Sequence, residues 1–178
     1  QNVRLFPNMT IMENVMVAQH CRTSQNVIGA LFQTKAFKKE EEEIRENAKE
    51  ILSFFGSRLV GYRLDQPAFV LSYANRRRLE IARAICTNPE MIALDEPAAG
   101  LNPNETEALA KMIQMLRTEF KMTVMLIEHD MGMVMKVSDF IIVLDHGEVI
   151  AKGTPDEILN NPKVIAAYLG VDDDEVAA

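Results

Sequence analysis

Along the first half of the chain, apolar residues recur with helical spacing. Thr10 and Glu13 form a T-x-x-E capping box, and Met12, Val15, Met16 and Gln19 follow at helical intervals, predicting a helix over about residues 11–20. After scattered apolar positions at Ile28, Leu31, Phe32 and Phe37, the charge run over residues 38–43 opens a longer helix. On that helix Ile44, Ala48, Ile51, Leu52 and Phe55 make one apolar stripe, which leaves the charges as its wet face.

Beyond residue 90 the pattern changes. Residues 91–94, 123–127 and 140–144 are short apolar runs bounded by turn residues, as expected of buried strands. Leu109, Met112, Ile113, Leu116 and Phe120 trace a helix face between the first two runs, and residues 131–137 supply another helix before the third. Alternating strand and helix predicts an α/β fold with a parallel sheet. Asp145-His146-Gly147-Glu148 then turns the chain back into residues 149–151, and Thr154, Pro155 and Glu157 form a second capping box that opens a short helical tail. The acidic stretch 172–175 has too little apolar area to pack and is expected to be disordered.

Composition narrows the function classes. At 178 residues, 48% hydrophobic and 25% charged, the chain fits a compact soluble domain. No run nears the roughly 18 apolar residues that cross a membrane, and no secretory leader opens the chain, so neither spanning nor secretion is expected. A net charge of −7 argues against nucleic acid as the partner. Cys21 and Cys86 give neither a disulfide framework nor metal-ligand spacing and read as ordinary buried thiols.

Two stretches carry candidate chemistry. Met91-Ile92-Ala93-Leu94-Asp95-Glu96-Pro97 delivers two adjacent carboxylates at the carboxyl end of a strand, where parallel sheets bind ligands. Asp95 suits Mg²⁺, held directly or through water, and Glu96 suits orienting or deprotonating an attacking water; alternatively, both merely cap the following helix. In Leu71-Ser72-Tyr73-Ala74-Asn75, Ser72 sits where a helix N-cap belongs, which gives either an anion site or ordinary capping.

Taken together and in order, residues 71–103 closely resemble the ABC ATPases. The signature loop L-S-G-G-Q reads LSYAN, the helix after it contains IARAI, then TNPE, and the Walker B strand reads MIALDEP. The D-loop matches Ala98-Ala99-Gly100-Leu101-Asn102-Pro103, with Asn102 at the usual aspartate, and the switch histidine matches His129 in I-E-H-D-M. Gln1 fits the Q-loop glutamine, which the resemblance places near Mg²⁺ and the attacking water. The signature, the R-R-L-E-I-A-R helix, the D-E-P-A-A-G-L-N-P run and the G-T-P-D-E-I ending are most similar to ATPase subunits of branched-chain amino-acid importers.

The resemblance implies a P-loop NTPase-like parallel-sheet core with a helical lobe. It divides the chain into residues 1–86 (Q-loop and helical lobe), 87–153 (Walker B, D-loop and switch) and 154–178 (helical extension and tail). It also implies ATP and Mg²⁺ as cofactors, and a second ABC ATPase subunit and transmembrane permease subunits as partners. The chain is then expected at the cytoplasmic face of the plasma membrane. Two subunits would sandwich ATP, each site using Asp95, Glu96 and His129 of one chain and Ser72, Tyr73, Ala74 and Asn75 of the other.

Three departures stand out. Tyr73 and Ala74 replace the two glycines of the signature, and alanine would strain the loop if its backbone needed a positive φ. Asn75 replaces the glutamine. No G-x-x-x-x-G-K-[ST] loop is present, since Gly56 and Gly61 have the glycine spacing but are followed by Tyr62 and Arg63. With Gln1 as its first residue the sequence reads as cut at the Q-loop, and this fragment is expected to be inactive alone. The alternatives are a naturally truncated, non-catalytic docking module and a non-transport ABC ATPase.

Overall fold

Thr10 and Glu13 build the predicted capping box in the computed structural model, which describes residues 4–23 and 31–169. The Thr10 hydroxyl accepts the Glu13 N–H at 3.1 Å, and the Glu13 carboxylate accepts the Thr10 N–H at 2.8 Å. That bond to Thr10 holds the Glu13 carboxyl below the ordinary glutamate range. The box opens helix α1 (Ile11–Gln19), which buries Ile11, Met12, Val15 and Met16.

Helix α2 (Lys35–Phe54) begins before the charge run, because the Thr34 side chain caps it by accepting the Phe37 N–H. It buries Ala48, Ile51 and Leu52 and packs on α1, which also packs on helix α3 (Tyr73–Ile85). Each buried Ile or Leu contributes roughly 1.5–3 kcal/mol. The exposed Lys39–Glu43 pair adds a small fraction of that, so the apolar stripe holds α2 in place. Gln19 joins α1 to α2 by donating to the Ile44 carbonyl at 3.2 Å and accepting from Asn47 at 2.9 Å.

The two cysteines differ. Cys86 follows α3 and is buried, and burial pushes its thiol up to about 12. Cys21, expected to be buried, is exposed, because it lies on the 3-10 turn His20–Arg22 beyond the apolar face of α1.

Strands β1 (Met91–Asp95) and β2 (Thr123–Ile127) pair in parallel, with Met91 opposite Thr123 and Asp95 opposite Ile127. They are joined by helix α4 (Pro103–Thr118), whose Leu109, Ala110, Met112, Ile113 and Leu116 are buried. The α/β class and the parallel pairing agree with the sequence, but the strands are not buried on both faces. Successive side chains point to opposite faces; Ile92 and Leu94 are buried, while Met91, Met125 and Ile127 are about half exposed, at 50%, 46% and 54%. Phe120 lies beyond the end of α4, with its ring edge-on to Phe54, centroids 4.8 Å apart.

Contacts divide the chain into residues Gln1–Glu128 and His129–Ala178. The second unit contains helix α5 (Met131–Val137), strands β3 (Ile141–Asp145) and β4 (Glu148–Gly153), and helices α6 (Pro155–Leu159) and α7 (Pro162–Leu169). Val134, Ile141, Ala151, Ile158 and Val164 form its core. The reversal read at Asp145-His146-Gly147-Glu148 is present, with β3 pairing antiparallel with β4, whereas the parallel pairing also expected of β3 is absent from the sheets of the described residues. The two-residue turn accounts for the hairpin: His146 and Gly147 both have positive φ, 46° and 84°, the conformation that returns a strand along its own edge. The expected disorder of residues 172–175 lies outside the described residues.

Thr154 and Glu157 form the second predicted capping box. A Cβ added at Gly153 would collide with the Glu157 carboxylate that closes this box. Gly153→Ala is therefore expected to lower stability by about 1 kcal/mol, the usual worth of such a cap. Thermal unfolding that matched the parent would contradict this. No helix among the described residues is long and apolar enough to cross a membrane.

Candidate functional site

The parallel register brings the carboxyl ends of β1 and β2 level, and the turn that follows β1 is built there. Asp95 ends the strand and is exposed; Glu96 is half-buried with φ 42°. A non-glycine residue in this left-handed region costs roughly 1–2 kcal/mol, so surrounding bonds must hold it. Those bonds are present: the Glu96 N–H donates to the Ile127 carbonyl at 2.8 Å, and the Ala99 N–H donates to the Glu96 carbonyl at 3.2 Å. The Ala98 N–H donates to the Glu128 carboxylate at 2.7 Å. Between them, Pro97 is fully buried. The turn is thus tied to the end of β2 at two points.

Asn102 caps α4 in a reciprocal box with Glu105, accepting the Glu105 N–H at 3.0 Å while Glu105 accepts the Asn102 N–H at 3.1 Å. His129 begins the second unit and is exposed, and the adjacent Asp130 caps α5 by accepting the Met133 N–H at 3.0 Å. Gln1 lies outside the described residues.

Ser72 occupies the N-cap of α3, yet its hydroxyl makes no capping bond and its side chain is exposed. The donors of the first helical turn therefore point out beside an uncommitted hydroxyl, an arrangement that suits an anion. Tyr73 is 43% exposed, whereas Ala74 and Asn75 are buried. Ala74 lies inside the helix, not among the positive-φ residues, so alanine brings no backbone strain there. Asn75 accepts from the Arg78 guanidinium at 3.0 Å.

Two residues outside the candidates read from sequence shape this region. Glu128 closes the turn after β1; its signal was its place in I-E-H-D, where the histidine drew attention first. Arg76 donates to the carbonyls of Leu71 at 2.9 Å and Phe69 at 3.1 Å, fixing the approach to Ser72. Nothing local in the sequence marks that role. Among the described residues, no group of three or more His, Cys, Asp or Glu is placed to hold a metal ion.

Comparison with known proteins identifies the architecture. The sequence profile described as ABC transporter matches residues 1–99, and that of the branched-chain amino acid ATP-binding cassette transporter matches residues 148–174. The chain is 49% identical over 175 residues to the high-affinity branched-chain amino acid transport ATP-binding protein BraF of Pseudomonas aeruginosa, covering 96% of this chain and 66% of the relative. It is 46% identical to LivG of Escherichia coli K12, with the same coverage. The chain thus spans just under two thirds of the length of these relatives. Among solved structures it is similar to the ADP conformation of MJ1267, an ATP-binding cassette of an ABC transporter (TM-score 0.71, 32% identity, 92% of this chain and 64% of that one). It is also similar to the dimeric post-hydrolysis state of the ATP-binding cassette MJ0796 bound to ADP and Pi (TM-score 0.66, 25% identity, 87% and 60%). With a family profile matched over more than half its length and the carboxylate-bearing turn at the end of β1, the chain belongs to the ABC transporter ATP-binding family.

Proposed function

We propose that this chain forms part of the ATP-hydrolysing subunit of an ABC importer that takes up branched-chain amino acids. The observation that carries the reading is the Asp95-Glu96 turn, braced to β2 through the Ile127 carbonyl and the Glu128 carboxylate. Glu96 orients or deprotonates the water that attacks the γ-phosphate, with His129 and Gln1 as further members of the site. Asp95 binds Mg²⁺ directly or through water. One carboxylate suffices for that ion when phosphates and waters fill its remaining positions, and the exposed Asp95 fits this donor set. Bound Mg²⁺ neutralises charge on the phosphates.

Ser72 and the first-turn N–H groups of α3, with Tyr73, Ala74, Asn75 and Asn102 alongside, complete the ATP site of a second subunit. A dimeric structural neighbour bound to ADP and Pi supports a paired assembly. ATP-driven closure of the pair moves the transmembrane permease subunits, with the subunit peripheral on the cytoplasmic face of the membrane. The names of the relatives support the substrate class, which leucine uptake in cells lacking the gene would test: unimpaired uptake of leucine, isoleucine and valine would refute it.

Since no G-x-x-x-x-G-K-[ST] loop cradles the phosphates, these 178 residues by themselves are expected to release no phosphate from ATP above background. A polypeptide that joins them to such a loop should hydrolyse it. Turnover by the 178 residues alone that disappeared in Glu96→Gln would force a different nucleotide site.

A further inference from the structure

The segment that follows Gln1 is fastened to α3 from both sides of its backbone. The Arg4 N–H donates to Glu80 Oε1 at 2.9 Å, and the Arg4 carbonyl accepts from Arg83 Nη2. The Arg83 guanidinium also lies 5.8 Å from the centre of the Phe6 ring. Farther along, the Ala68 N–H donates to the Met9 carbonyl at 2.9 Å and the Phe69 N–H to the Pro7 carbonyl at 3.1 Å, which ties the segment to the residues leading into Ser72.

Glu80 uses its second oxygen differently. Oε2 accepts from Arg77 Nη1 at 3.1 Å, and Arg77 is buried. Arg77 Nη2 donates to the Tyr73 hydroxyl at 3.3 Å, with the guanidinium 5.8 Å from the ring centre. The Tyr73 ring in turn flanks Gly100, where a Cβ would stand 3.7 Å from Tyr73 Cε1. Hydrogen bonds thus run from the backbone at Arg4 through Glu80 and Arg77 to Tyr73, whose ring lies beside Gly100 in the turn beyond Asp95-Glu96.

We propose that Glu80 is a positioning residue whose two oxygens link the segment after Gln1 to Tyr73, so that a displacement of that segment reaches the signature stretch and the Gly100 turn together. Tyr73, at a position where the signature carries glycine, is the member that carries the displacement from α3 to Gly100. The meaning of this link for ATP use rests on the proposed function, but the link itself does not.

Because spatial continuity alone does not establish coupling, the test must show that a change at one end is felt at the other. Amide hydrogen exchange followed by NMR, on the complete polypeptide that carries this chain, reads both ends. Glu80→Ala should speed exchange at the Arg4 amide about tenfold, and should also speed exchange at the Leu101 amide, which donates to the Ala98 carbonyl within the Gly100 turn. Glu80→Gln, which keeps an acceptor for Arg4, should restore the Arg4 amide. Tyr73→Phe should speed exchange at Leu101 and leave Arg4 unchanged, because it breaks only the later step.

Unchanged exchange at Leu101 in Glu80→Ala would overturn the proposal, as would loss of protection throughout α3, which would mean a general loosening of the helix. In the same polypeptide Glu80→Ala should raise the KM for ATP about tenfold with kcat held within about twofold, and Glu80→Gln should leave it raised, because the one oxygen of glutamine cannot accept from both the Arg4 N–H and Arg77. If the parent hydrolyses no ATP, the proposed function falls while the exchange data still decide the link.

Discussion

Glu96→Gln, made in the complete subunit, should lower ATP turnover by roughly 10²–10³-fold, within the range usually contributed by a positioned general base. The same variant should hold ATP in a stable dimer. Glutamine keeps the size of the side chain and leaves the backbone bonds to Ile127 and Ala99 untouched, so the turn stays formed while the basic group is lost. Binding groups elsewhere, Ser72 and Asp95 among them, are unaltered. Size-exclusion chromatography with ATP and a phosphate-release assay give the two readouts. Prompt turnover by Glu96→Gln would remove the role proposed for this carboxylate.

The largest effect on stability is expected at Asn14. Its side chain is fully buried and satisfied: Oδ1 accepts the Phe6 N–H at 2.9 Å, and Nδ2 donates to the carbonyls of Phe6, Met9 and Thr10 at 2.9, 3.2 and 3.0 Å. Asn14→Ala leaves the Phe6 N–H without its acceptor, while the carbonyls of Phe6, Met9 and Thr10 keep the backbone N–H groups of Met9, Ala68 and residue 14. A buried polar group left unsatisfied costs about 1–3 kcal/mol, so a loss of about 2 kcal/mol is expected. Urea unfolding would measure it, and a midpoint within error of the parent would show that water enters readily. Asn14→Leu should be no better, since an apolar side chain cannot accept the Phe6 N–H.

Asn14 also shows where sequence reading stops. The capping boxes at Thr10 and Thr154 were legible, because both halves of each box lie three residues apart and the chemistry is local. The stripe of α2 and the strands at 91–95 and 123–127 were legible for the same reason: periodicity is a short-range property. Asn14, by contrast, reads as one polar residue within an apolar helix face, and its use depends on a loop wrapping over that helix.

The hairpin of β3 and β4 was legible in the Asp145-His146-Gly147-Glu148 turn, a local signal, whereas an apolar run by itself does not say whether β3 also has a parallel partner. At the candidate site, Asp95, Glu96 and Ser72 stood out by residue type and order. Glu128, Arg76 and Glu80 did not, since each acts on backbone groups 30, 5 to 7, and 76 residues away. The strain that a positive φ would bring at Ala74 is absent, because its backbone is helical, which the signature spacing does not reveal.

The left-handed backbone at Glu96 bears on how this position can vary. On conformational grounds alone glycine would serve best there, since it adopts φ 42° without steric cost. A glutamate in that place gives up some folding free energy in return for a carboxylate at a defined point beyond the sheet. Selection for stability and selection for activity therefore pull this residue in opposite directions. If Glu96 serves hydrolysis as proposed, a related chain that no longer needs the carboxylate is expected to carry glycine or asparagine at this position, where either relieves the backbone.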